Sequence, residues 1–137
     1  MATYVKFYTF SENLAEKVFN LGSDSLKVAL TNTAPTASTG NVLTDITEIT
    51  YTNCSSRTLT TSSSAQTTGT YKLVIADLTL TASGGSVGAF RYVVIYDDTA
   101  TSDNLICYFD YGSSITLADT ETITLDFDGS NGLLTLA

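Results

Sequence analysis

The side chains able to do chemistry in this 137-residue chain are fourteen carboxylates, two thiols, eight tyrosines and six basic groups, with no histidine among them. Losing histidine removes the usual general base near neutral pH and the commonest transition-metal ligand. It also excludes Ser-His-Asp and Cys-His arrangements. Cys54 and Cys107 form no CxxC pair, and no glycine-rich phosphate loop precedes a helix. Carboxylates suited to glycoside hydrolysis could converge in space, but an acidic chain always offers such pairs, so they carry almost no weight. The expectation is a protein that is not an enzyme, with no catalytic residues and no cofactor.

Two acidic loops are candidates for metal. Asp97, Asp98 and Asp103 could hold Ca²⁺ if backbone carbonyls converge on them. The competing reading is a solvated loop tip, because strand-connecting loops are usually polar and exposed. Asp126 to Gly132 resembles a calcium loop, but Asn131 takes the sixth position, where glycine is needed, and Ala137 the twelfth, where glutamate is needed. A turn stocked with Asp, Gly and Asn for positive φ angles is preferred. No metal site is expected.

Arg91 interrupts the apolar run Phe90 to Tyr96. It suits a buried ion pair or an interface, and equally a surface position with an apolar stem. Tyr4, Tyr8, Tyr92, Tyr96, Tyr108 and Tyr111 could anchor an interface, although strand tyrosines more often sit in or beside a core. The arm from Met1 to Phe10 carries Tyr4, Val5, Phe7, Tyr8 and Phe10, a large apolar load that must be covered by its own domain, a neighbouring copy or a partner. Tyr4, Phe7, Tyr8, Phe10 and Arg91 are therefore the candidate interface residues.

The elements that position these groups are mostly strands. One helix is expected over 11–20: Thr9 to Glu12 has capping-box spacing, Ser11 is a second candidate cap, and Leu14, Ala15, Val18 and Leu21 recur at helical spacing before Gly22. A strand over 25–31 alternates Leu26, Val28 and Leu30 against Lys27 and Ala29, and a loop follows to Asn41. The stretch 42–52 suits a short strand or two. The Ser/Thr-rich stretch 53–70 suits a loop or an exposed hairpin. A long strand over 71–82, a turn at Gly84-Gly85, a central strand over 90–96 and a strand over 105–111 come next. Residues 121–128 and 133–136 read as a closing hairpin through Gly129 to Gly132. Seven or more short strands with frequent turns predict an all-β chain with one short N-terminal helix, a single β-sandwich domain over 1–137, with a jelly roll as one form it could take.

Composition agrees. Threonine is the commonest residue and proline occurs once, which suits pleated, half-buried strands. A formal charge of −8 repels phosphate backbones and anionic lipid, so neither nucleic-acid nor membrane binding is expected. No apolar signal-type core or membrane-length run is present, so no export signal of that type is expected. Two cysteines are too few for a disulfide framework, and two free thiols are expected.

Two blocks resemble small virion proteins encoded near the major capsid gene of tailed phages. The first is FSENLAEKVFNLGSDSLKVALTNTAPTASTGNVLTDITEI at 10–49. The second is TLTASGGSVGAFRYVVIYDD at 79–98, continued by YFDYGSSITLADTETITLDFDGSNGLLTL at 108–136. Together they cover roughly two-thirds of the chain. From Tyr51 the chain departs from the Gly-rich pattern of that family and enters its Ser/Thr tract. The resemblance implies a structural virion component, foremost a capsid decoration or cement protein that binds the major capsid protein or other virion subunits. Physics adds the outer capsid surface, because packaged DNA would repel an acidic lining. It also adds a symmetric homo-oligomer, with a trimer favoured. Assembly would take place in the host cytoplasm. The alternatives are a tail or head-fibre subunit, and a glycan- or receptor-binding sandwich, against which the lack of tryptophan counts.

Overall fold

The computed structural model describes residues 2–137. Nine strands, one helix and a single 3-10 turn follow one another as β1 (Thr3–Lys6), α1 (Thr9–Ala15), β2 (Leu26–Thr31), the turn Leu43–Asp45, β3 (Thr61–Thr67), β4 (Thr70–Ile75), β5 (Leu78–Thr81), β6 (Val87–Asp97), β7 (Leu105–Leu117), β8 (Thr122–Leu125) and β9 (Leu134–Leu136). All pairings are antiparallel. They build a four-stranded sheet in the order β1-β7-β6-β2, a three-stranded sheet β3-β4-β9 and a two-stranded sheet β5-β8. The two smaller sheets pack on the large one, and the chain is the β-sandwich with one short N-terminal helix that its alternation predicts.

The main core lies between the layers. Val28, Leu30, Val93, Ile95 and Cys107 of the large sheet meet Leu73, Ile75, Leu80 and Phe127 of the other layer, with Phe10 and Phe19 closing one end. A second, smaller core covers the outer face of the large sheet, where Phe7 and Ile46 pack on Ala29, Val94, Tyr96 and Leu105. This explains why β6 is apolar on both faces: it is central in its sheet and covered twice. The division of β2 holds as expected, with Leu26, Val28 and Leu30 in the main core and Ala29 on the opposite face, which the second core buries.

Several element boundaries differ from expectation. The helix spans Thr9–Ala15 and stops early because Lys17 takes a left-handed φ of 67°. The amide of Val18 donates to Asn13 and that of Lys17 to Leu14, which is Schellman closure with lysine at the position usually held by glycine. No side chain caps its start: Thr9 lies inside the helix with its hydroxyl on the Gly40 carbonyl, and Ser11 accepts from Lys6. The stretch 42–52 forms the 3-10 turn instead of strands, held where the Asp45 carboxylate accepts the amides of Asn41 and Val42. Within 53–70 the hairpin alternative holds, because β3 pairs with β4 across Thr68-Gly69.

The expected strand over 71–82 is two strands in different sheets. It breaks at Ala76-Asp77, where the Asp77 carboxylate accepts the Phe127 amide at 2.9 Å. Gly112 does not end β7, since its φ of 96° lets the strand bend and continue to Leu117. The closing hairpin is absent: β8 pairs with β5 and β9 with β4, so 126–133 crosses between sheets. At Gly132, φ is 82° and an added Cβ would stand 2.7 Å from the Leu73 carbonyl, so only glycine lets the chain approach β4 this closely.

Candidate interaction surface

The candidate interface residues divide into two groups. Phe7 and Phe10 are core: Phe7 is 0 % exposed in the outer cluster and Phe10 stacks on Phe19. That corrects their assignment to an interface. Tyr8 is 70 % exposed and Tyr4 38 %, standing at the two ends of the β1 edge. The arm itself is an edge strand paired with β7 from Thr3↔Asp110 to Lys6↔Cys107. Met1 lies outside the described residues.

Of the remaining tyrosines, Tyr92 and Tyr96 are buried and Tyr108 is half-buried, with its ring 5.3 Å from Phe7 and 6.2 Å from Tyr92. Tyr111 is 51 % exposed. Beside it an apolar cleft of about 770 Å³ opens between the layers, floored by Phe90, Val93 and Phe109 and walled by Ile123, Leu125 and Phe127. Tyr4 packs edge-on against Phe109 at 5.4 Å, and Phe109 lies 5.9 Å from Phe127, so an aromatic row runs from the β1 edge into the other layer. Burial, followed by the neighbouring Cys107, raises the Tyr4 hydroxyl above the ordinary tyrosine range. Its phenol therefore stays neutral across physiological pH.

Arg91 makes a two-pronged ion pair with Asp110, through Nε at 2.7 Å and a terminal nitrogen at 3.0 Å. Both side chains are partly exposed, so the pair fixes geometry more than it adds stability. The Arg91 hydrogen bond holds the Asp110 carboxyl below the usual range. The bulge between Phe90 and Tyr92 places Arg91 here, and no periodicity reveals a bulge in advance.

A cluster missed in the sequence is Arg57 with Tyr51 and Glu48. The guanidinium lies 3.7 Å from the Tyr51 ring centroid and donates to the Val28 carbonyl at 2.6 Å. The Tyr51 hydroxyl in turn donates to Glu48 at 2.7 Å and accepts the Leu30 amide at 2.8 Å. The 48–59 segment thereby covers the free edge of β2, which would otherwise be open to strand pairing. Only the fold brings residues of this irregular segment onto one strand edge.

The acidic loops do not assemble a metal centre. Asp97 is buried, Asp98 pairs with Lys27 at 3.3 Å, and among the described residues no group of three potential ligands converges. The Asp128 carboxylate is taken up inside its own turn by the amides of Ser130 and Asn131 and by the Asn131 side chain. Thermal unfolding with calcium and with chelator should therefore give the same midpoint. A calcium-dependent rise of many degrees would reinstate one of these loops as a site. Cys54 is half-buried and Cys107 buried, and both are free thiols; burial pushes Cys107 up to about 12. No protein-family model matches the chain, and no curated protein or solved structure matches it significantly.

Proposed function

We propose that this chain is a structural subunit of a tailed-phage particle, a decoration protein that sits on the outer head surface as a symmetric trimer and binds the major capsid protein. The observation that carries the reading is the set of exposed tyrosines, Tyr4, Tyr8 and Tyr111, around the β1 edge and the mouth of an apolar cleft. Tyrosine supplies large, stiff contact area with a polar tip, which is why it anchors protein interfaces. The resemblance of the 10–49, 79–98 and 108–136 stretches to phage virion proteins supplies the particle. The charge of −8 favours its outer face over one lined by packaged DNA. Such a protein stabilises a shell by mass action because it binds the assembled lattice in many copies.

Sedimentation of the purified chain and co-sedimentation with heads of the parent phage test this reading together. The expected result is a trimer that saturates heads, with Tyr8→Ala and Tyr111→Ala each weakening occupancy by roughly 10- to 30-fold, the range of an interface anchor. Both variants should keep the wild-type unfolding midpoint, because each removes an exposed ring. A strict monomer that ignores heads, or one found only in purified tails, overturns the decoration role.

A further inference from the structure

Asp97 ends β6, is 0 % exposed, and has no lysine or arginine within ion-pair distance among the described residues. Its Oδ1 accepts the amides of Thr99 at 2.9 Å and Ala100 at 3.1 Å, but its Oδ2 has no hydrogen-bond partner. An ionised carboxylate oxygen left bare in the interior is costly.

The β2–β6 register sets Asp97 opposite Leu26, so the turn before β2 lies against it. The two segments are stitched together by the Asp98 amide on the Ser25 carbonyl at 2.9 Å and the Ser25 amide on the Thr99 hydroxyl at 2.8 Å. Asp24 belongs to that turn; it accepts the Asn20 amide at 2.8 Å and lines one pocket together with Thr99 and Ala100, the residues whose amides hold Asp97. Two carboxylates in this position cannot both ionise cheaply, whereas one shared proton satisfies the bare Oδ2 and replaces repulsion by a hydrogen bond. The surrounding charges do not offer a substitute. Lys27 is held by Asp98, Lys17 lines the adjoining pocket without an ion pair to Asp97, and Asp103 on the same loop adds a further negative charge.

We propose that Asp24 and Asp97 form a proton-sharing carboxyl pair, a clasp that holds the 20–25 turn against the loop after β6 and opens as pH rises through neutrality. The clasped segments and the end of α1 line one pocket of about 500 Å³. Opening the clasp therefore loosens part of that lining.

Burial first, and then the neighbouring Asp24 carboxyl, push Asp97 up to about 7. Its folded state thus holds a proton that the unfolded chain, titrating near 4, has already released. Stability from the pair is complete at acid pH and is lost as pH climbs through neutrality. The chain has no histidine, and burial raises both thiols, so few other side chains titrate between pH 5.5 and 8.

Unfolding midpoints of wild type, Asp97→Asn and Asp24→Asn should be followed from pH 5.5 to 8. Wild type should lose several degrees across that range. Asp97→Asn should show a flat profile, because its amide keeps the Oδ1 acceptor and permanently supplies the N–H that the shared proton imitates. Amide exchange in 20–25 and 97–104, corrected for its intrinsic pH dependence, should accelerate at pH 8 in wild type alone. If Asp97→Asn fails to fold, Asp24→Asn carries the test, since it keeps an acceptor for Asn20 and removes the like charge. A flat wild-type profile, or a slope that survives in the folded variants, overturns the clasp. So does stabilisation by calcium at pH 8, which would mark a cation site instead.

Discussion

Deleting residues 1–8 should unfold the domain, or leave it too unstable to isolate, instead of releasing a folded core that has merely lost its partners. β1 contributes four residue pairs to β7, and the Phe7 amide extends the ladder to the Ile106 carbonyl. Phe7 is completely buried in the outer core, where Gly40 lies so close that an added Cβ would stand 2.6 Å from the ring. Phe7→Ala alone should cost about 3–5 kcal/mol, the usual toll for emptying a packed phenylalanine site. Whole domains of this kind are stable by only about 5–15 kcal/mol. The deletion adds the loss of Tyr4 from Phe109 and leaves the edge of β7 open along Cys107 and Phe109, a template for aggregation. Circular dichroism and calorimetry on the truncated chain check this. A cooperative transition within a few degrees of wild type would make the arm dispensable to the fold and return it to the interface.

That expectation shows where the sequence is informative about the arm and where it is silent. Its apolar load demands burial, but periodicity cannot say whether the cover comes from the same chain. The answer depends on a second core on the outer sheet face, which Ile46 completes from the end of the 3-10 turn, an element that no periodicity announces. The same limit appears elsewhere. Alternation finds β2 and β8, and a run apolar on both faces finds β6, which is central and covered twice. The break at Asp77 and the separation of β8 from β9 rest on tertiary pairing: an aspartate receiving the Phe127 amide, and a glycine fitting against Leu73. The exposed Tyr4 and Tyr8 are legible as candidates from residue type alone. Phe7 and Phe10 share their apolar character, so only packing separates anchors from core. Asp97 reads as a loop-tip carboxylate because it follows an apolar strand. Its burial comes from the 20–25 turn folding over the end of β6, a contact between residues more than seventy positions apart.

Phe127→Ala should destabilise the domain by about 3–5 kcal/mol. Thr122, Thr124 and Asp126 are exposed, while Ile123 and Leu125 are partly covered and Phe127 is buried at 5 % exposure, so the strand's apolar phase points inward and its last residue lies deepest. The amide of Phe127 is tied to Asp77 at 2.9 Å and its ring contacts Phe109, which prevents the segment from collapsing into the space that a missing ring leaves. The cleft adjoins that space, so truncation would enlarge an existing opening and further weaken the seam between the layers. Phe127→Leu keeps most of the volume and should lose much less. In a double-mutant cycle, Phe109→Ala and Phe127→Ala should show about 0.5–1.5 kcal/mol of coupling, the range for an aromatic pair beyond simple burial. Urea unfolding of the four proteins measures all of this. A loss below about 1 kcal/mol for Phe127→Ala would mean that the 122–128 segment is not seated between the sheets in this phase. The aromatic row from Tyr4 through Phe109 would then not bridge the two layers.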